Sequence, residues 1–217
     1  MVRCTCASRA SIQQMQDRVP YDLIAERWSR DRSSLLFREK PYVDRFVQLA
    51  TPGGHILDLG CGSGKPIARY LLDRGYRVTG VDSSPEMLHL ARANCPEAEL
   101  VQGDMVFVDL PGGYHSIVAW DSVFHIPKRQ HEKVFRAMCR WLKPTAPLLL
   151  SVGGSADEFV APMFGIDFFY SGHSPDVSLA LLREAGFEIV LSEVDVPSSR
   201  GHVAVLCRRA AEGVPWR

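Results

Sequence analysis

The sequence predicts an α/β protein, one mostly parallel sheet with helices on both faces and an antiparallel edge. Three observations carry this. Short apolar runs alternate with helical stretches from His55 onward, which is the pattern of strand–helix–strand units. The segment Asp58-Leu59-Gly60-Cys61-Gly62-Ser63-Gly64 places glycines at alternate positions where a strand must turn into a helix. The last two apolar runs flank Pro197-Ser198-Ser199-Arg200-Gly201, a connection short enough for a closing hairpin.

In chain order, residues 1–17 are polar and irregular and read as a disordered leader, with Met15 a candidate natural start. Residues 18–217 read as a single domain. Its first part, 18–52, is a helical cap: Tyr21–Arg30 and Glu39–Ala50 both carry apolar residues at helical spacing. Strand one is His55–Leu59. A helix begins at Pro66, a residue suited to a first helical position, and Gly75 stops it. Strand two is Arg77–Val81. Ser84-Pro85-Glu86 opens the next helix as cap, first residue and favourable N-terminal acid. Strands follow at Ala98–Gln102 and Ser116–Trp120, a helix at Lys128–Leu142 and a fifth strand at Leu148–Val152. The insertion Gly153–His173 is rich in Phe and Tyr and is broken by Pro162 and Gly165. It is expected to be a lid over an apolar pocket rather than a core strand. A helix at Pro175–Ala185, closed by Gly186, precedes the last strands, Glu188–Val196 and His202–Cys207.

Composition narrows the function. The chain has 217 residues, 46% of them apolar, enough for one good core. Lys and Arg number 25 against 25 Asp and Glu, with no basic run, so a nucleic-acid footprint is absent. No apolar run reaches the length of a membrane span, and the N-terminus lacks a signal-peptide core, so a cytoplasmic protein is expected. The cysteines are scattered and read as reduced thiols. No His cluster has metal-ligand spacing, and no metal site is expected.

The glycine turn and the residues around it point to a nucleoside ligand. Glycine permits positive φ and close backbone approach, and the following helix aims its N-terminal amides at the same spot. Asp82 lies about 20 residues beyond, where nucleotide sites of this kind hold an acid against the ribose hydroxyls. A dinucleotide fingerprint requires G-x-G-x-x-G, but Lys65 follows Gly64. A phosphate loop requires G-x-x-x-x-G-K-[ST]; the spacing is one short and Pro66 replaces the hydroxyl. Asp58 suits an ammonium-bearing ligand and suits pyrophosphate poorly. S-adenosylmethionine fits all of these.

The runs D-L-G-C-G-S-G, V-T-G-V-D-S-S, Q-G-D-M and A-W-D-S-V-F-H-I-P, in that order, resemble the class I S-adenosylmethionine-dependent methyltransferases of small-molecule type, over about Tyr21 to Arg208. The resemblance implies a Rossmann-like sheet of seven strands in the order 3-2-1-4-5-7-6, the last antiparallel. It implies S-adenosylmethionine as cofactor and S-adenosylhomocysteine as product. It implies that Asp104 accepts from the adenine amino group beside Met105, and that Tyr21, helped by Arg32, reaches the cofactor carboxylate. The chain departs from the family before strand five, where Thr145-Ala146-Pro147 stands in place of a glycine pair.

The residues themselves complete the expected site. Gly60, Cys61, Gly62 and Gly64 form the cradle, Asp58 and Asp82 are its acids, and Ser83 and Met87 add a polar contact and an apolar face. Trp120 borders the methionine part of the cofactor. Asp121, His125 and His173 are the candidate catalytic residues, because a base assists only when the acceptor enters protonated, and His suits that near neutral pH. Trp28 and Phe37 are expected to close the pocket with Tyr21. The expected reaction is methyl transfer to O, N or C of a small, partly apolar or aromatic metabolite, by a monomer or homodimer. The main rival is a protein that binds S-adenosylmethionine for non-methylating chemistry.

Overall fold

The strand β1 (His55–Leu59) is buried along its length after His55, as a central parallel strand covered on both faces must be. Its side chains alternate. Leu57 and Leu59 enter one core layer with Phe135, Met138 and Leu148, and Ile56 enters the other with Phe46, Leu71 and Leu149. In this computed structural model residues 20–34, 38–196 and 201–211 are described. The expected leader 1–17, Phe37 and the turn residues 197–200 lie outside them.

The remaining strands are β2 (Arg77–Asp82), β3 (Glu99–Gln102), β4 (Ser116–Ala119), β5 (Pro147–Gly153), β6 (Glu158–Met163), β7 (Ile166–Ser171), β8 (Phe187–Val196) and β9 (His202–Arg209). Seven of them form one sheet in the order β3-β2-β1-β4-β5-β9-β8. β9 runs antiparallel to both β5 and β8, and the other pairs are parallel. Discounting β6 and β7, this is the expected order with its antiparallel last strand. The α-helices are α1 (Ala25–Asp31), α2 (Lys40–Leu49), α3 (Ile67–Leu72), α4 (Pro85–Asn94), α5 (His131–Trp141) and α6 (Pro175–Ala185).

Local chemistry explains the boundaries. The Ser84 hydroxyl accepts from the Met87 amide at 3.0 Å and caps α4. Gly186, at φ 109°, closes α6 in the left-handed conformation. Two expectations change. The helix expected at Tyr21–Arg30 is a 3-10 turn, Pro20–Leu23, followed by α1. The helix expected from Lys128 begins as a separate 3-10 turn before α5. Thr145 takes φ 63°, in the left-handed region that favours glycine, while its amide donates to the Arg209 carbonyl.

The aromatic insertion is a β-hairpin, β6–β7, apart from the main sheet. Phe164 and Gly165 form its two-residue turn, with φ 55° and 84° as a type I′ turn requires. Pro162 is accommodated because a two-stranded ribbon leaves each strand one unpaired edge.

Candidate functional site

The carboxyl ends of β1, β2 and β4 open into a cavity of about 440 Å³, within the range of small-molecule sites. It lies at the switch point where β1 is flanked by β2 on one side and β4 on the other. The glycine turn forms its floor. The Gly60 and Cys61 amides both donate to the Val81 carbonyl, at 2.8 and 3.0 Å, which pins the turn to β2. A Cβ on Gly60, at φ +84°, would lie 2.4 Å from the Ser122 Cβ. Gly60→Ala is therefore expected to destabilise the fold by about 1–3 kcal/mol, read as a lower urea midpoint. At Gly62 a Cβ would approach nothing closer than 3.8 Å, so this backbone is open to a ligand. Gly64 does not line the cavity. Its added Cβ would meet Cys95 Sγ at 2.8 Å, so this glycine serves packing of the turn on α4.

Two acids stand at the turn, Asp58 buried and Asp82 half-buried. Asp82 accepts from the Gly62 amide at 2.8 Å through Oδ2 and from the Ser84 amide at 2.9 Å through Oδ1. Each oxygen keeps further lone-pair capacity for a ligand. Burial raises the Asp82 pKa, and the amides pull it back. Asp58 is pushed up to about 7, by burial first and then by the Asp82 charge. Among the described residues no cation or donor reaches the Asp58 carboxylate. Cys61, Ser83, Met87, Asp104, Met105 and Trp120 line the same cavity. Asp104 Oδ1 caps its own turn by accepting from the Val106 amide at 2.8 Å. Among the described residues the buried Trp120 indole N–H has no acceptor.

On the cap side, Tyr21, Trp28, Arg32 and His125 complete the wall. His125 is buried; its Nδ1 lies 3.0 Å from the Phe169 carbonyl and its Nε2 3.0 Å from the Tyr21 hydroxyl. Burial pushes His125 down to about 4, against the opposing pull of that carbonyl and of Asp121. Burial likewise raises Tyr21 well above the usual phenol range. No residue of the hairpin lines the cavity. Phe168, whose ring lies 5.0 Å from that of Tyr21, forms a layer behind the wall. The expected lid is thus a support for Tyr21 and His125. His173 also lies away from the cavity, its Nε2 3.1 Å from the Lys128 carbonyl and its ring against His131. That geometry gives it no contact with acceptor chemistry.

Asp121 is not poised as a base. At φ 53°, its carboxylate meets His202 Nε2 at 2.7 Å, Arg38 Nη2 at 2.9 Å and Arg32 Nη2 at 3.3 Å. The His202 contact is close but poorly aligned as a hydrogen bond, so it acts as an ion pair. Burial alone would raise the Asp121 carboxyl; His202 and the guanidiniums hold it at about 2. His202 also meets Asp195 at 2.6 Å, and Arg32 meets the fully buried Glu39 at 3.1 Å. Three cations and three carboxylates thus form one balanced cluster tying the cap to the ends of β4, β8 and β9. Arg32, expected to serve the cofactor, belongs to it. Sequence reasoning missed His202, Arg38, Glu39 and Asp195 because no local pattern joins them.

These residues fit S-adenosylmethionine. An unpaired buried acid suits its ammonium group, an acid with spare acceptor capacity suits its ribose, and open glycine backbone suits its amino-acid part. Among the described residues no group of three or more His, Cys, Asp or Glu is placed to hold a metal ion, and no helix is long and apolar enough to cross a membrane.

Comparison with known proteins agrees with this geometry. Residues 56–145 match the family described as a methyltransferase domain. The chain is 30% identical over 112 residues to a ubiquinone biosynthesis O-methyltransferase of Xanthomonas campestris, covering 48% of this chain and 45% of that enzyme. It therefore spans less than half of that relative's length. It is 26% identical over 210 residues to a trans-aconitate 2-methyltransferase of Escherichia coli, covering 82% and 75% of the two. Its fold is similar to that of a SAM-dependent methyltransferase from Methanosarcina mazei, with TM-score 0.69 at 22% identity over 77% of this chain and 98% of the other.

Proposed function

We propose, from this chain's membership of the class I S-adenosylmethionine-dependent methyltransferases, that it methylates O, N or C of a small, partly apolar or aromatic metabolite. The observation that carries the reading is the buried Asp58 and the half-buried Asp82 in one cavity with an open glycine backbone. When bound, S-adenosylmethionine supplies a methyl group already activated on a sulfonium, so the protein mainly positions and desolvates. Asp82 holds the ribose hydroxyls, Asp58 the ammonium, and Asp104 the adenine amino group. Met87 and Met105 pack the base. Tyr21 and Trp28, on the cap, exclude water, and the hairpin braces Tyr21 and His125.

The Asp58 pKa of about 7 gives this reading a pH signature. A cationic ligand favours the ionised acid, so binding displaces a proton and tightens as pH rises. Calorimetry is expected to show S-adenosylmethionine affinity increasing by up to about tenfold between pH 6 and 8, with proton release near pH 7. Incubation with a panel of small acceptors is then expected to yield S-adenosylhomocysteine. Tight binding with no such product across the panel would select the non-methylating alternative; no binding at all would remove both.

A further inference from the structure

We propose that the methyl acceptor is a hydroxyl, and that Tyr21 touches it and passes its proton to His125. The inference rests on the methyltransferase reading above. Hydrogen-bond bookkeeping sets the direction. A carbonyl only accepts, so the 3.0 Å contact with Phe169 places the proton of neutral His125 on Nδ1. Nε2 is then bare, and the Tyr21 hydroxyl 3.0 Å away is its donor. With its proton committed inward, Tyr21 Oη presents only lone pairs to any other partner. Both residues line the cavity.

The surroundings hold this arrangement rigidly. The Tyr21 ring stands edge-on to Trp28, His125 and Phe168, at 5.6, 5.4 and 5.0 Å between centroids. His125 is further packed by Phe124 and Tyr170. It is 8% exposed, so an acceptor meets the phenol before the imidazole.

The step balances. The acceptor oxygen forms its bond to the methyl carbon as the carbon–sulfur bond of the sulfonium breaks, leaving the thioether. The acceptor proton moves to Tyr21 Oη, and the Tyr21 proton moves to His125 Nε2. Reversal of the internal transfer and loss to water after product release restore the start. An imidazole held at about 4 suffices, because a hydroxyl forming a bond to carbon becomes an oxonium far more acidic than imidazolium. The same argument selects oxygen. A neutral amine attacks without prior deprotonation, and a thiol ionises near neutral pH unaided, whereas a hydroxyl needs its proton removed as it reacts.

The test has two arms. In protein labelled with ¹⁵N-histidine and saturated with S-adenosylhomocysteine, NMR is expected to show His125 protonated at Nδ1 and bare at Nε2 at neutral pH, with the Nε2 resonance moving in Tyr21→Phe. In the second arm simple phenols, anilines and thiophenols are offered with S-adenosylmethionine. Product is expected from phenols, and Tyr21→Phe is expected to lower kcat by about 100-fold or more with saturating S-adenosylmethionine. An Nε2–H tautomer, an unmoved resonance in Tyr21→Phe, product confined to anilines or thiophenols, or an unaltered kcat overturns the relay. So does absence of product from every phenol in a protein that binds S-adenosylmethionine. Failure to bind S-adenosylmethionine instead overturns the methyltransferase reading beneath it.

Discussion

Asp121→Ala is expected to destabilise the folded protein by about 3–5 kcal/mol, the scale for breaking a buried ion pair from one side. Among the described residues the substitution leaves Arg32, Arg38 and His202 facing Glu39 and Asp195, so one positive charge of the cluster loses its anion. Asp121 also sits at φ 53°. Asn tolerates that region better than Ala, so Asp121→Asn separates the loss of charge from the backbone strain. The measurement is the urea midpoint for both variants, with and without His202→Gln. Because the residues share one cluster, the double substitution is expected to cost less than the sum of its parts. Additive effects would mean that the cluster is not coupled.

The pH dependence follows from His202. Burial alone would lower its pKa, but Asp121 and Asp195 raise it to about 9, above its usual 6.5. A raised folded-state pKa contributes stability that is fully present below pH 6.5 and is lost as pH rises toward 9. Unfolding curves between pH 6 and 10 are therefore expected to show falling stability in the parent and a shallower fall in Asp121→Asn. His125 runs the other way. Its pKa of about 4 lies below 6.5, so its contribution is present above pH 6.5 and is lost as pH falls toward 4.

Asp82→Ala is expected to weaken S-adenosylmethionine binding by about 1–3 kcal/mol, the scale of hydrogen bonds to a charged group. The structure adds a reason that spacing alone did not contain. The same carboxylate holds the Gly62 and Ser84 amides, so its removal also loosens the turn that presents backbone to the ligand. Asp82→Asn keeps an acceptor for only one of these amides and is expected to fall between parent and Ala. Calorimetry at pH 8, where Asp58 is mostly ionised, isolates the effect. Unchanged affinity in Asp82→Ala would take the residue out of the binding site.

The elements were legible where their signal was local. β1 appears at its expected bounds because five residues carry its apolar pattern. The cap of α4 was readable because Ser84 and Met87 are three positions apart. Gly60 and Gly64 look alike in the motif, yet one is confined by Ser122 beside the cavity and the other by Cys95 in the core. Neither neighbour is near in sequence. The hairpin illustrates the same limit: Phe164-Gly165 is a local turn signal, but whether the ribbon covers the cavity or backs its wall depends on how it docks.

The kind and chain order of the seven main-sheet strands and of the α-helices, the glycine turn and its two acids were thus written in the sequence itself, because periodicity, caps and motif spacing act over a few residues. Which side chains meet was decided only by the folded sheet. Tyr21 reaches His125 across 104 positions, Arg38 reaches Asp121 across 83, and His125 reaches the Phe169 carbonyl across 44. Those contacts exist because the strand order carries distant segments to one end of the sheet. There burial removes water and lets a neutral imidazole and a balanced ionic cluster persist side by side.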